Sequence, residues 1–273
     1  MKIYVGLKVI AELTIKFKEN KMITETILTQ LRQLKLGGML ISLQGQMEQP
    51  GAYEGLSFEE RLQFLIEQEF TERTHRKQQR LTRAAKFKLQ ANAQAIDYLH
   101  PRGLQKSLMA ALLQCDWIAK GQNLLLTGPC GSGKTWLSCA IGHTACMKGY
   151  SVRYFRLSRL LLQLTQSKAD GTYTKFLNSL NKYQWLILDD WGLEPLKASQ
   201  RNDLLEIMDD RHGVLATTII SQLPTEQWYH SIGDNTLADA ILDRLMHNSH
   251  RINLKGESMR KLNNNIIEEK ETA

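Results

Sequence analysis

The sequence predicts an α/β chain, a parallel sheet flanked by helices, preceded by a small all-helical N-terminal domain. Three observations predict it. Beyond Gly121, short apolar runs alternate with longer amphipathic stretches, the rhythm of parallel strands joined by crossover helices. A glycine-rich segment ending in Gly-Lys-Thr stands between the first such run and the stretch after it. From Met22 to about Arg83, apolar residues instead recur at three- and four-residue spacing.

The helical domain is expected over 22–100. Ile27, Leu28, Leu31 and Leu34 mark one helical face, and Gly37-Gly38 interrupts the run. Ser57 ahead of Phe58-Glu59-Glu60 is a helix start with acids in its first turn. Phe58, Leu62, Leu65, Ile66 and Phe70 then share a face. Residues 86–103, with Pro101 and Gly103 as breakers, read as a linker. The second domain is expected over 101–262 and opens with a helical stretch at Leu104–Ala119. Strands are expected at Asn123–Thr127, Ser151–Phe155, Trp185–Asp189, Gly213–Ser221 and Arg251–Leu254. Helices at Thr135–Lys148, Leu157–Gln166, Tyr173–Leu180, Ser199–Arg211 and Leu237–Met246 separate them. Residues 1–21 lack a clear period and read as an upstream extension; residues 263–273 read as a polar tail.

Hydrophobic residues at 42% and charged residues at 23% allow a packed core and exclude a disordered polyelectrolyte. The formal net charge of +7 points to a polyanionic partner. The excess is local. Between residues 71 and 90, Arg73, Arg76, Lys77, Arg80, Arg83, Lys86 and Lys88 face a single acid, Glu72. Cys115, Cys130, Cys139 and Cys146 show no CxxC spacing, so free thiols in a reducing cytoplasm are expected. No apolar run approaches the ~18 residues of a membrane span, and no signal peptide is evident.

Gly128-Pro129-Cys130-Gly131-Ser132-Gly133-Lys134-Thr135 fits G-x-x-x-x-G-K-[ST] in full. Its glycines let successive N–H groups point into one concavity that holds phosphates, and the following helix adds its positive N-terminal end. Lys134 can reach the β- and γ-phosphates of ATP, and the Thr135 hydroxyl can ligate Mg2+. An apolar strand leading in and an amphipathic helix leading out supply the context that the motif requires. Some 55 residues on, Trp185-Leu186-Ile187-Leu188 ends in Asp189-Asp190. Ligands of parallel sheets gather beyond the carboxyl ends of strands. There Asp189 could hold the metal through its water shell, and Asp190 could orient and deprotonate an attacking water. The bland alternative is two aspartates opening a turn before Gly192.

At this point the residues resemble the AAA+ branch of the P-loop NTPases that contains the IstB-like transposition helper ATPases and the DnaC-like helicase loaders. The resemblance runs from about Met22 to Lys261. It rests on GPCGSGKT, LILDDWGLEPL, Thr218–Pro224 (TIISQLP) and DRLMHNSHRINLKGESMRK (Asp243–Lys261). At the front it rests on LSFEERLQFLIEQEF (Leu56–Phe70) followed by RKQQRLTRAAKF (Arg76–Phe87). It implies an AAA+ core that binds ATP with Mg2+ and hydrolyses it. Ser221 and Gln222 match the polar sensor of the γ-phosphate or lytic water. Arg244 matches an arginine finger acting on a neighbouring subunit's ATP, the alternative being an ion pair with Asp243 or Glu257. The implied partners are double-stranded DNA, a cognate transposase, and further copies of the chain in an ATP-dependent ring or spiral. Two departures matter. Most AAA+ ATPases carry Glu where Asp190 stands, although Asp-Asp is usual in this branch, so slow hydrolysis is expected. The chain also ends about 20 residues past the last expected strand, so no helical lid or lid-borne arginine is expected.

Arg73, Arg76, Lys77, Arg80 and Arg83 would form a basic stripe on one helix, able to track DNA phosphates without reading sequence. Arg156, Arg159, Lys168 and Lys175, in the long segment between Phe155 and Trp185, are a second DNA-facing set. His247 and His250 lack a third metal ligand and read as surface histidines, and Trp136, Trp185 and Trp191 as core or pocket wall. The leading expectation is an insertion-sequence helper ATPase that recruits a transposase; the alternative is a DnaC-like replicative helicase loader. A small-molecule kinase would leave the basic helix unexplained.

Overall fold

The computed structural model describes residues 22–259. The expected upstream extension at 1–21 and polar tail at 263–273 lie outside the described residues. The chain divides into two compact units between Lys77 and Gln78, inside one long helix, whereas the sequence reading put the division at residue 100.

The first unit holds a helix through 22–33 (α1), α2 (Gly37–Glu48) and most of α3 (Phe58–Ala85). Ser57 starts α3 as expected: its hydroxyl accepts from the Glu60 amide at 3.2 Å, and the Glu60 carboxylate accepts from the Ser57 amide at 2.7 Å. This reciprocal pairing satisfies two amides that the first turn leaves open. The predicted apolar faces are only partly used. Leu31 is buried and Leu62 and Leu65 are half-buried, but Ile27, Leu34, Phe58, Ile66 and Phe70 are exposed. Packing at α3 centres on Glu69, which is buried and caps α2 by accepting from the Gly38 and Met39 amides at 2.7 and 3.2 Å. A helix end needs such an acceptor, and periodicity of apolar residues does not reveal it.

The second unit begins with the end of α3. Residues 86–103, expected as a linker, pack into its core. Ala85 and Ile96 are buried there with Phe87 and Tyr98 against them. The correction has a physical reason: Pro101 and Gly103 shape the chain locally, but enough apolar side chains lie between breakers to be worth burying. Next come α4 (Lys106–Gln114), α5 (Asp116–Ala119), β1 (Asn123–Thr127), α6 (Lys134–Met147), β2 (Val152–Arg156), α7 (Leu157–Ala169) and α8 (Tyr173–Leu180). They are followed by β3 (Trp185–Trp191), α9 (Ala198–Arg211), β4 (Ala216–Ser221), α10 (Trp228–Ile232), α11 (Asn235–Met246) and β5 (Ser249–Asn253).

Among the described residues the strands form one parallel sheet in the order β2-β3-β4-β1-β5. Alternate residues serve opposite layers. Leu124 and Leu126 of β1 pack with Met109, Leu137 and Ile141 of α4 and α6, while Leu125 packs with the layer containing Leu160, Leu204 and Ile241. Sequence order and spatial order part company after β1, which lies between β4 and β5, and the crevice at such a switch point is where sheets of this kind bind ligands. β3 runs two residues past its expected end. Its pairing with β4 shifts between Leu188 and Trp191, a bulge that holds Asp190 at φ +64°.

Arg211 closes α9 as a buried cation bonded to neutral acceptors. It donates to Thr217 Oγ1 and to the carbonyls of Leu180, Tyr183 and Ala216, and burial pushes its pKa down to about 9. Arg211→Ala would remove four hydrogen bonds from the core and leave a cavity, although the Leu180 carbonyl keeps the Tyr183 amide as a donor. A loss of about 3–5 kcal/mol in unfolding free energy is expected in a urea titration, and a loss under about 1 kcal/mol would show that these bonds contribute little.

Candidate functional site

The phosphate loop connects β1 to α6. Gly128, Gly131 and Gly133 have φ of +141°, +81° and +93°. A Cβ at these positions would stand 2.3 Å from the Leu254 carbonyl oxygen, 2.0 Å from Ser258 Oγ and 2.6 Å from an Arg102 nitrogen. The positive φ favours glycine at all three, and at Gly128 the Leu254 backbone leaves no room for a side chain either. Pro129, Cys130 and Ser132 fill the turns between them. Lys134 opens α6 and is buried; its ammonium donates to the Gly128 and Pro129 carbonyls at 2.6 and 2.8 Å. Burial holds the Lys134 pKa below its ordinary value.

The loop and the acidic strand end meet directly. Thr135 Oγ1 donates to Asp189 Oδ2 at 2.8 Å. The same oxygen accepts from the Tyr154 hydroxyl at 2.7 Å, Lys88 Nζ lies 3.9 Å away, and Asp189 Oδ1 accepts from the Asp190 amide at 2.9 Å. Burial and the bond to Asp189 push the Tyr154 pKa far up, so the phenol remains a donor. Asp189 is buried, and with its oxygens so engaged it suits a second-sphere role, gripping a cation's water rather than the cation. The bulge turns Asp190 the other way, to an ion pair with Arg156 at 3.1 Å.

Lys134, Thr135, Asp189, Asp190 and Arg156 line a cavity of about 1000 Å³ that also takes in Gln222, Ser221, Trp136, Lys88, Asp97 and Arg102. Ser221 is buried, and its hydroxyl donates to the Trp191 carbonyl at 2.8 Å while accepting from the Leu223 amide at 3.0 Å. Gln222 is exposed to the cavity. A glycine loop with three positive-φ residues, a lysine, and a Thr–Asp pair of oxygen ligands fit a polyphosphate with a hard divalent cation; magnesium prefers such oxygens.

Arg244, on α11, does not line this cavity. Its guanidinium pairs with Asp209 and donates to the Ala240 carbonyl at 2.7 Å, so its partner is neither Asp243 nor Glu257. Arg73, Arg76, Lys77, Arg80 and Arg83 are all exposed on α3, with Arg73 bonded to Glu69 at 2.6 Å and Arg76 to Glu72 at 2.7 Å. The residues of the second DNA-facing set are all exposed, but two of them have partners. Arg156 pairs with Asp190 at the cavity, and Lys168 pairs with Asp203 and lies over the Tyr173 ring, while Arg159 and Lys175 are exposed.

Tyr154, Lys88 and Arg102 are site residues that the sequence did not reveal. β2 and β3 are neighbours in the sheet, which puts Tyr154 beside Asp189, but the order of strands is not written in their spacing. Of the four cysteines only Cys130 is exposed. A maleimide should therefore label Cys130 first, and Mg2+–ATP should slow that labelling several-fold. Equal rates with and without nucleotide would mean that the ligand does not cover this loop.

The sequence and fold match known proteins. Residues 29–266 match the model of a family described as IstB-like ATP binding protein. The chain is 45% identical over 240 residues to a Sinorhizobium fredii protein named as insertion sequence ATP-binding protein y4pL, covering 88% of this chain and 98% of the relative. It is 46% identical over 205 residues to a Pseudomonas fluorescens protein named as the ATP-binding protein of insertion sequence IS1162, covering 75% of this chain and 88% of that one. Among solved structures, DnaI is similar in fold, with a TM-score of 0.52 at 22% identity over 62% of this chain and 90% of the other.

Proposed function

Since the chain belongs to the IstB-like ATP binding protein family, we propose that it is the ATP-dependent helper of an insertion sequence. It binds ATP with Mg2+ at Gly128–Thr135, assembles with further copies on double-stranded DNA, and recruits a separate transposase. ATP hydrolysis resets the assembly. The observation that carries this reading is the Thr135–Asp189 bond, which joins the phosphate loop to the acidic end of β3 within one cavity.

Each residue then has a task. The loop amides and Lys134 hold the phosphates. Thr135 would hold Mg2+ directly and Asp189 through the cation's water; the bound ion would neutralise phosphate charge. Tyr154 keeps Asp189 oriented. Asp190 accepts the proton of the water that attacks the γ-phosphorus, and its short arm makes turnover slow. Of the two sensor candidates, Gln222 takes the role, because the Ser221 hydroxyl is occupied by the Trp191 carbonyl and Leu223 amide. Arg244 reaches the ATP of a neighbouring copy after exchanging its contact with Asp209, stabilising charge on the transferred phosphoryl group.

The exposed arginines and lysine of α3 track the DNA backbone. Changing Arg76, Lys77 and Arg80 together to glutamine should weaken duplex binding and lower the slope of log affinity against log salt by about 2–3, since each lost phosphate contact removes ~0.9. ATP affinity should stay the same. DNA affinity and salt slope equal to wild type would remove α3 from the DNA-binding surface. Affinity capture from cells carrying the insertion sequence should recover its transposase with ATP present; a hexameric helicase in its place would make the chain a loader.

A further inference from the structure

Two segments 150 residues apart close on the phosphate loop together. Met259 donates its amide to the Gly131 carbonyl at 3.0 Å, and Lys255 donates its amide to the Arg102 carbonyl at 2.9 Å. Arg102 in turn donates through Nη1 to the Ser132 carbonyl at 3.3 Å and through Nη2 to the Asp97 carbonyl at 2.9 Å. Its side chain is only 2% exposed, yet it lines the nucleotide cavity. Among the described residues no carboxylate stands within ion-pair distance of it, and Nε has no hydrogen-bond partner. The nearest acid in sequence, Asp97, turns its carboxylate to the Leu99 and His100 amides at 2.8 and 3.3 Å.

A guanidinium that is buried, bonded to carbonyls and without a directly paired acid is costly, and Asp97, whose carboxylate is turned to backbone amides, offsets that only from a distance. Lys134, on the same loop, is a second cation bonded only to carbonyls. Asp97 attracts the Arg102 guanidinium, and Asp189 and Asp190 attract the Lys134 ammonium, without pairing with them directly, so both charges beside the cavity remain open to an anion. We propose that Arg102 is a positioning residue of the nucleotide site: it fixes the phosphate loop through Ser132, and the phosphates of the bound nucleotide compensate its charge. This rests on the ATP reading above. Arg102 acts through the loop and through its field, so its contribution grows with the charge of the ligand.

Calorimetric titration of the full chain with ATP, ADP and AMP tests this, for wild type, Arg102→Met and Arg102→Lys. In Arg102→Met, ATP affinity is expected to fall about tenfold, ADP affinity less and AMP affinity hardly at all. Arg102→Lys, which keeps the charge, should retain most of the wild-type difference between the three nucleotides. A loss of equal fold for all three would mean that Arg102 only supports the loop's shape, and no loss would mean that it does neither; both overturn the proposal. If Arg102→Met does not fold, Arg102→Lys decides: collapse of the ATP–ADP–AMP difference in that variant overturns it too. Wild-type protein that binds none of the nucleotides would instead remove the ATP reading itself.

Discussion

Lys134→Ala is expected to weaken ATP binding at least about a hundredfold. The lysine is buried at the start of α6, where its ammonium has left water for two backbone carbonyls of its own loop. Burial lowers its pKa, the sign that the charged form lacks solvation there. A triphosphate supplies what is missing. A charge-assisted bond to a phosphate oxygen is worth about 1.5–3 kcal/mol, and a hundredfold change corresponds to roughly 2.7 kcal/mol. The loop keeps other ties in the variant, since the Met259 amide still donates to the Gly131 carbonyl and Arg102 to the Ser132 carbonyl. Calorimetric titration with ATP in magnesium buffer measures the effect. Affinity within a few-fold of wild type would place the triphosphate elsewhere.

Asp190→Asn should separate binding from turnover. Asparagine preserves the shape of the side chain and tolerates the left-handed backbone that the β3 bulge imposes, whereas most other residues would be strained at φ +64°. The lost ion pair with Arg156 is partly exposed and contributes ~1 kcal/mol or less to stability. What disappears is a group able to take a proton, and removing a general base slows such steps by about 10²–10⁴-fold. ATP affinity should therefore match wild type while phosphate release, followed with a coupled assay, falls at least a hundredfold. Residual hydrolysis near the wild-type rate would exclude Asp190 as the base. Mixing this variant with Arg244→Ala adds a second reading. If the finger acts across an interface, two subunits inactive on their own should regain part of the activity together; no recovery would keep Arg244 out of a neighbour's site.

Much of the candidate site was legible in the sequence because its motifs are local. The loop's shape depends on glycines at fixed intervals, and a lysine and threonine follow at positions that helix geometry sets. An apolar run leading into carboxylates is likewise readable, since burial selects Trp185–Leu188, although the charged pair does not end the strand, which continues through the bulge to Trp191. Helix starts such as Ser57 and strand runs such as Asn123–Thr127 carry their signals within a few residues.

What only the tertiary structure decided involves residues that meet from distant places. Tyr154 reaches Asp189 because β2 lies beside β3, and Arg102 reaches Ser132 because residues 86–103 fold back onto the core instead of spanning two domains. Arg156, which looked like a surface cation of a helical insertion, is drawn to Asp190 by the bulge in β3. Spacing along a chain records the periods of helices and strands, so it identifies the elements and the motifs they carry. The order in which strands pair, and the partner that a buried charge finds, depend on how those elements pack, a sum of many long-range contacts that no short window of residues contains.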